Sequence, residues 1–160
     1  MTYEIALREV PEQPIVSIRE RVSESDMPGF IGRCYGQLYS RLGSFGVTPS
    51  GPPMVIYHAF GPDLIDAEVC VPVDMVVPTP APFVSRALPA THVASTLHVG
   101  PYNELGKAYD ALNEWITQHE YQASDPVYVR YLTQPGRNVP ESEYQTIIEM
   151  PIVATAVPVA

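Results

Sequence analysis

Gly32-Arg33-Cys34-Tyr35-Gly36-Gln37-Leu38 and Gly106-Lys107-Ala108-Tyr109-Asp110-Ala111-Leu112 are one pattern written twice, 74 residues apart. The same offset carries Leu42 onto Ile116, Pro52 onto Pro126 and Tyr57 onto Tyr131. Further out the offset grows slightly. Arg8, Pro11 and Ser17 fall on Arg86, Pro89 and Ser95 at 78, and Val71-Pro72-Val73 falls on Met150-Pro151-Ile152 at 79. The matches occupy helix-face, turn and strand positions alike. A chain built twice from one unit implies a pseudo-twofold axis, and a cleft between such halves is the default place for a small molecule.

Each unit reads as β-α-β-β with a strand in front. Tyr3–Val10 and Pro14–Val22 alternate as strands and read as joined by the turn Pro11-Glu12-Gln13. Ser25 or Asp26 can cap a helix, Pro28 suits its first turn, and Phe30, Ile31, Cys34, Tyr35, Leu38, Tyr39, Leu42 and Phe45 recur at helical spacing. Gly46 is the stop signal. Strands follow at Met54–Phe60 and Ile65–Val73. The proline-rich stretch Val76–Pro82 reads as an extended crossover between halves. The order then returns, with strands at Phe83–Leu88 and His92–His98. A helix opens at Gly100-Pro101 and carries Leu105, Ala108, Tyr109, Leu112 and Ile116 on one face. Strands follow at Val127–Thr133 and Tyr144–Val153, separated by the loop Gln134–Pro140. The expectation is a single α+β domain over residues 1–160. Its two β-α-β-β repeats, about residues 3–75 and 82–153, share an antiparallel sheet with both helices on one side and a central ligand cleft.

Composition narrows the function classes. Nine Lys and Arg stand against 18 Asp and Glu, a net charge of −9. There is no basic stripe and no helix-turn-helix pattern, so direct nucleic-acid binding is not expected. The N-terminus lacks a basic segment followed by an apolar one, and no apolar run approaches about 20 residues, so neither a leader nor a membrane span is expected. Two cysteines, Cys34 and Cys70, fit reduced core residues of a cytoplasmic protein. His58, His92, His98 and His119 form no metal-ligand spacing, and no phosphate-binding glycine loop is present. No cofactor is expected, and the partner is a small molecule.

Strand alternation then sorts the candidate site residues. In the first repeat Val69, Val71 and Val73 belong against the helix, which leaves Glu68 and Cys70 on the other face, where the cleft is expected. In the second repeat Ile148, Met150 and Ile152 are the core set, and Ile147 and Glu149 take the cleft side. A cleft carboxylate attracts an organic cation or serves as a general acid or base. Tyr57 and Tyr131, repeat equivalents on the third strands, can provide aromatic faces for a cation, or simply pack with their hydroxyls satisfied by backbone. Tyr102 at the second helix's start either reaches the cleft or staples the helix entry. Tyr35, Tyr109 and Trp115 read as packing residues. His58 neighbours Tyr57 on the opposite strand face.

Three stretches carry a family likeness: Val93-Ala94 through His98-Val99-Gly100-Pro101-Tyr102, then Leu105-Gly106-Lys107-Ala108-Tyr109 through Trp115, then Tyr131-Leu132 with Glu143-Tyr144 and Glu149-Met150-Pro151-Ile152. Together they resemble the GyrI-like family, also called the bacterial effector-binding domain, and with the repeat the likeness covers essentially the whole chain. The resemblance implies two β-α-β-β units around a pseudo-dyad and an aromatic cleft for lipophilic, often cationic, molecules. It implies a sensor or sequestering module with no DNA-binding segment of its own. The family's acid stands four residues before the last strand's proline. Here that position is Ile147, with Glu149 two before Pro151, whereas Glu68 keeps the family spacing before Pro72. Two other activities come with the resemblance. One is hydrolysis of strained, cyclopropane-bearing electrophiles, with Glu149 or Glu68 directing a water. The other is inhibition of a protein partner, as in the family's gyrase-inhibiting namesake.

Overall fold

A computed structural model describes residues 3–133 and 138–154. The elements are β1 (Ile5–Val10), β2 (Gln13–Val22), α1 (Met27–Phe45), β3 (Met54–Phe60), β4 (Ile65–Pro72), β5 (Val84–Leu88), β6 (Thr91–Val99), α2 (Leu105–Gln118), β7 (Tyr121–Ala123), β8 (Val127–Tyr131) and β9 (Gln145–Ala154). A 3-10 turn precedes each helix, Glu24–Asp26 before α1 and Tyr102–Glu104 before α2. Gly46 closes α1 at φ 77°, with its N–H returned to Leu42 and Gly43 carbonyls. Only glycine holds that left-handed turn without a Cβ penalty, so the helix stops there. The sequence did not announce β7, a three-residue strand on the far end of β9. Most of the loop expected at Gln134–Pro140 lies outside the described residues.

Every strand pair is antiparallel, and the order is β1-β6-β9-β8-β3-β4-β2-β5 in one curled sheet. At its middle β3 meets β8 with Val55 opposite Val129. These two are 74 residues apart, so the pseudo-dyad passes through that pair. The outer registers obey the same symmetry: Arg8 lies opposite Val93, and Ile15 opposite Arg86.

β1 and β2, read as joined by the turn Pro11-Glu12-Gln13, do not pair with each other. β1 pairs with β6 and β5 with β2, so the two repeats exchange their leading strands. The reason is local. Pro11 and Pro89 follow β1 and β5, and the tight hairpin turns that reverse a chain need φ > 0, which proline cannot adopt. The chain runs on to the other half instead.

Alternation divides the sheet into two buried faces. On one, Val16, Ile18, Val55, Val69 and Val71 pack under Phe30, Cys34, Leu38 and Leu42 of α1. Ala94, Ile148, Met150 and Ile152 pack under Ala108, Leu112 and Ile116 of α2. Val55, Val129 and Ile148 form one continuous row across three strands, so both helices cover the same face. Each such fully buried aliphatic side chain contributes roughly 1.5–3 kcal/mol. The opposite face carries neither helix. There Ile15, Met54, Ile56, Cys70, Leu88 and Tyr128 form a third cluster. Cys34 and Cys70 are free thiols buried on opposite faces.

Candidate functional site

A cavity of about 870 Å³ opens between α1 and α2, above the strands at the pseudo-dyad. One wall is a stripe of α1: Pro28, Ile31, Gly32, Tyr35, Gly36 and Tyr39. The 3-4 spacing puts these residues on one side of the helix, next to the stripe that enters the core. A Cβ added at Gly32 or Gly36 would meet nothing within 4 Å. The missing side chains therefore leave open space. Leu105 and Tyr109 of α2 face them, and Tyr57, Phe60 and Tyr131 rise from β3 and the end of β8. Among the described residues that line it, the one carboxylate is Glu24, exposed at the rim, and there is no Lys, Arg or His.

The dyad brings phenols together. Tyr57 and Tyr131 hydroxyls stand 3.4 Å apart. The Tyr35 hydroxyl is buried with no hydrogen-bond partner among the described residues. Burial pushes the phenols of Tyr35, Tyr57, Tyr109 and Tyr131 above their ordinary range, and for Tyr35, Tyr109 and Tyr131 the neighbouring phenols add to it. At neutral pH they are all protonated hydrogen-bond donors.

Tyr102 reaches the cavity because the turn before α2 is fixed from below. Gly100 sits at φ 144°, a conformation that favours glycine, and donates its N–H to the Tyr144 carbonyl at 2.8 Å. The buried His98 ring lies 3.2 Å from the Pro101 carbonyl through Nε2 and 2.8 Å from the Tyr3 hydroxyl through Nδ1. The carbonyl can only accept, so Nε2 carries the hydrogen of that bond. Tyr102 then meets Tyr131 edge-on, with ring centroids 5.5 Å apart, and leans on Tyr144 at 5.2 Å.

Of the residues singled out from sequence, Tyr57, Tyr131 and Tyr102 line this cavity. Glu68, Cys70, Ile147 and Glu149 do not. Their strand parity is as expected, opposite the helix-covered set, but the cavity opens on the helix face and the sheet lies between. They belong to the opposite face of the sheet, where the acids are held by arginines. Glu68, 2% exposed, accepts from Ser17 Oγ at 2.5 Å, from His58 Nε2 at 2.8 Å, and from Arg86 Nη2 at 2.6 Å and Nε at 3.3 Å. Burial pushes its pKa up, but those donors outweigh burial and hold the carboxyl below its usual range. Glu149, 3% exposed, accepts from Arg130 Nε at 2.8 Å. Placed there, Glu149 has no contact with the cavity and cannot serve as its general base. Ile147 stands beside Arg130 in the register.

The family profile described as the GyrI-like small molecule binding domain matches residues 3–153. The chain belongs to that family. No curated protein matches the sequence. Among solved structures, the EcmrR C-terminal domain is similar over 97% of this chain and 100% of its own, with 24% identity and a TM-score of 0.86. EcmrR in its DNA complex matches at 23% identity and a TM-score of 0.85, over 96% of this chain, which spans only 58% of that EcmrR chain. SAV2435 bound to tetraphenylphosphonium is similar at 15% identity and a TM-score of 0.67, over 96% of this chain and 94% of that one. A hydrolase from Listeria innocua reaches 11% and 0.68, over 94% and 92%. Identities of this size speak for a shared fold.

Within this GyrI-like domain, sequence reasoning overlooked Tyr35 and Tyr109, read as packing residues, and the cavity positions Ile31, Gly32, Gly36 and Tyr39. A signal was present. α1 carries two adjacent stripes: Met27, Phe30, Cys34, Leu38 and Leu42 are uniformly core-like, while the second mixes glycine with tyrosine. Small and aromatic residues side by side on one helix face suit a hollow better than a packed core. Trp115 packs beside His119 and Tyr121 at the outer end of α2, away from the cavity. No helix among the described residues is long and apolar enough to cross a membrane.

Proposed function

We propose that this GyrI-like domain binds bulky, lipophilic aromatic molecules, organic cations among them, in the tyrosine-lined cavity between α1 and α2, and acts as a sensor or sequestering module. One observation carries the reading: a hollow of about 870 Å³ on the pseudo-dyad, walled by aromatic rings from both repeats and by two side-chain-free positions of α1. Its size is within the range of small-molecule sites, and its walls are apolar with a few convergent polar groups. Tyr35, Tyr57, Tyr102, Tyr109 and Tyr131 offer ring faces that attract a cation. The fold shared with SAV2435, solved with tetraphenylphosphonium, supports the same ligand class here.

Calorimetric titration with tetraphenylphosphonium tests the reading. Binding is expected in the micromolar range, about −8 kcal/mol. Gly36→Leu puts an isobutyl group into the open space beside Tyr35 and should weaken binding by about tenfold or more while the protein stays folded. Unchanged affinity in that variant would place the ligand elsewhere, and no binding of any lipophilic aromatic probe would sink the proposal.

A further inference from the structure

The floor of the cavity is a set of donors with too few acceptors. Tyr57 and Tyr131 come from equivalent positions of the two repeats, and their hydroxyls face each other across the pseudo-dyad at 3.4 Å. An O–H···O bond ordinarily spans about 2.5–3.0 Å, so this pair is poorly bonded to itself. The spacing suits a third oxygen seated about 2.7 Å from both. Beside them the Tyr35 hydroxyl is buried without a partner among the described residues, a state whose cost an arriving acceptor relieves. Tyr109, the repeat equivalent of Tyr35, lines the same space. Among the described residues nothing anionic is buried with them. Glu24 is at the exposed rim, and both buried acids lie behind the sheet in ion pairs with Arg86 and Arg130. A bound cation thus finds ring faces but no counter-charge. A bound oxygen acceptor finds two convergent donors.

We infer that this cavity selects aromatic ligands carrying a neutral, hydrogen-bond-accepting oxygen, a carbonyl or phosphoryl group, seated between Tyr57 and Tyr131 on the pseudo-dyad, over cations of the same shape. Such an oxygen has lone pairs enough to accept from both phenols at once. Both repeats contribute one donor, so the recognition element exists only in the assembled pair. The inference rests on the cavity being the ligand site, as proposed above.

Triphenylphosphine oxide and methyltriphenylphosphonium make the test, because they share three phenyl rings and differ by oxygen against a methyl group on a cationic phosphorus. Calorimetry on the wild-type protein should show the oxide binding about tenfold tighter or more, the scale of two modest hydrogen bonds. In the double variant Tyr57→Phe, Tyr131→Phe the oxide should lose about tenfold and the phosphonium less than about threefold. A thermal melt shows whether the double variant is folded. If it is not, Tyr57→Phe alone should remove a smaller share of the oxide's advantage, with a larger loss for the oxide than for the phosphonium. Equal or tighter binding of the phosphonium to wild type overturns the inference and leaves the cavity reading standing. So does an equal loss of both ligands in the phenylalanine variants. If neither probe binds, the inference falls, and the cavity reading falls with it only where tetraphenylphosphonium also fails to bind.

Discussion

Glu68 shows how much a single buried charge depends on its surroundings. It is nearly inaccessible, yet four donor groups from β2, β3 and β5 keep it ionised. Removing a partner leaves part of that charge unanswered, so Arg86→Ala should destabilise the fold by about 2 kcal/mol, the scale of a charge-assisted hydrogen bond. Arg86 is itself partly exposed, which keeps the figure below that of a fully buried pair. The pH dependence has a definite sign. The folded-state pKa of Glu68 is depressed below its unfolded value near 4.5. Its contribution is therefore fully present above that value and is lost as pH falls through the folded pKa. Urea unfolding between pH 7 and pH 3 should show this loss in the wild type, and Glu68→Gln should flatten that acid limb. An acid limb unchanged by the substitution would mean the ion pair contributes nothing to it. The alternation that sets Glu68 and Glu149 opposite Val69 and Ile148 was legible in the sequence. The side holding the cavity was not, because both faces of this sheet are buried and period-two patterning does not say what covers either.

At the scale of elements, α1 carries a conflict between stability and room. Gly29, Gly32, Gly36 and Gly43 lie within it, although glycine in a helix interior costs roughly 0.5–1 kcal/mol relative to alanine. At Gly32 and Gly36 the return is open space for a ligand. A methyl group meets no neighbour at either position, and the helical backbone accepts alanine. The double variant Gly32→Ala, Gly36→Ala should therefore be more stable by about 1–2 kcal/mol in chemical denaturation. It should still bind tetraphenylphosphonium, with an affinity reduced by less than the larger Gly36→Leu change. A loss of stability would show that these glycines are required by the backbone and not by the cavity. The helix bounds themselves were readable from Pro28, the apolar spacing and Gly46. The strand partners of β1 and β5 were not. Pro11-Glu12-Gln13 read as a turn joining neighbouring strands, and nothing local says where a strand that runs on will find its edge.

For the molecule as a whole, the exchange of leading strands is the decisive feature. Each half gives its first strand to the other: β1 edges β6, and β5 edges β2. The halves also share the central β3–β8 pairing and the cavity above it. A half cut away at the crossover loses the outer strand on β2 or β6, strands its own leading strand, and exposes the edge of β3 or β8. A chain of this size buries too small a fraction of its surface to compensate. Residues 1–78 and 79–160, produced separately, should each lack a cooperative unfolding transition and dispersed amide signals in NMR spectra. Mixed in equal amounts, they should recover both, together with tetraphenylphosphonium binding, because every exchanged contact is regained on association. The intact protein should unfold in one transition with the same midpoint by fluorescence and by circular dichroism. Cooperative folding of either fragment alone would mean that the leading strands are accessories, that each β-α-β-β unit is autonomous, and that the repeat reflects two small domains joined at a cleft. Failure of the isolated fragments with recovery on mixing would tie fold and binding to the same event, since both the Tyr57–Tyr131 pair and the strand exchange exist only where the two repeats meet.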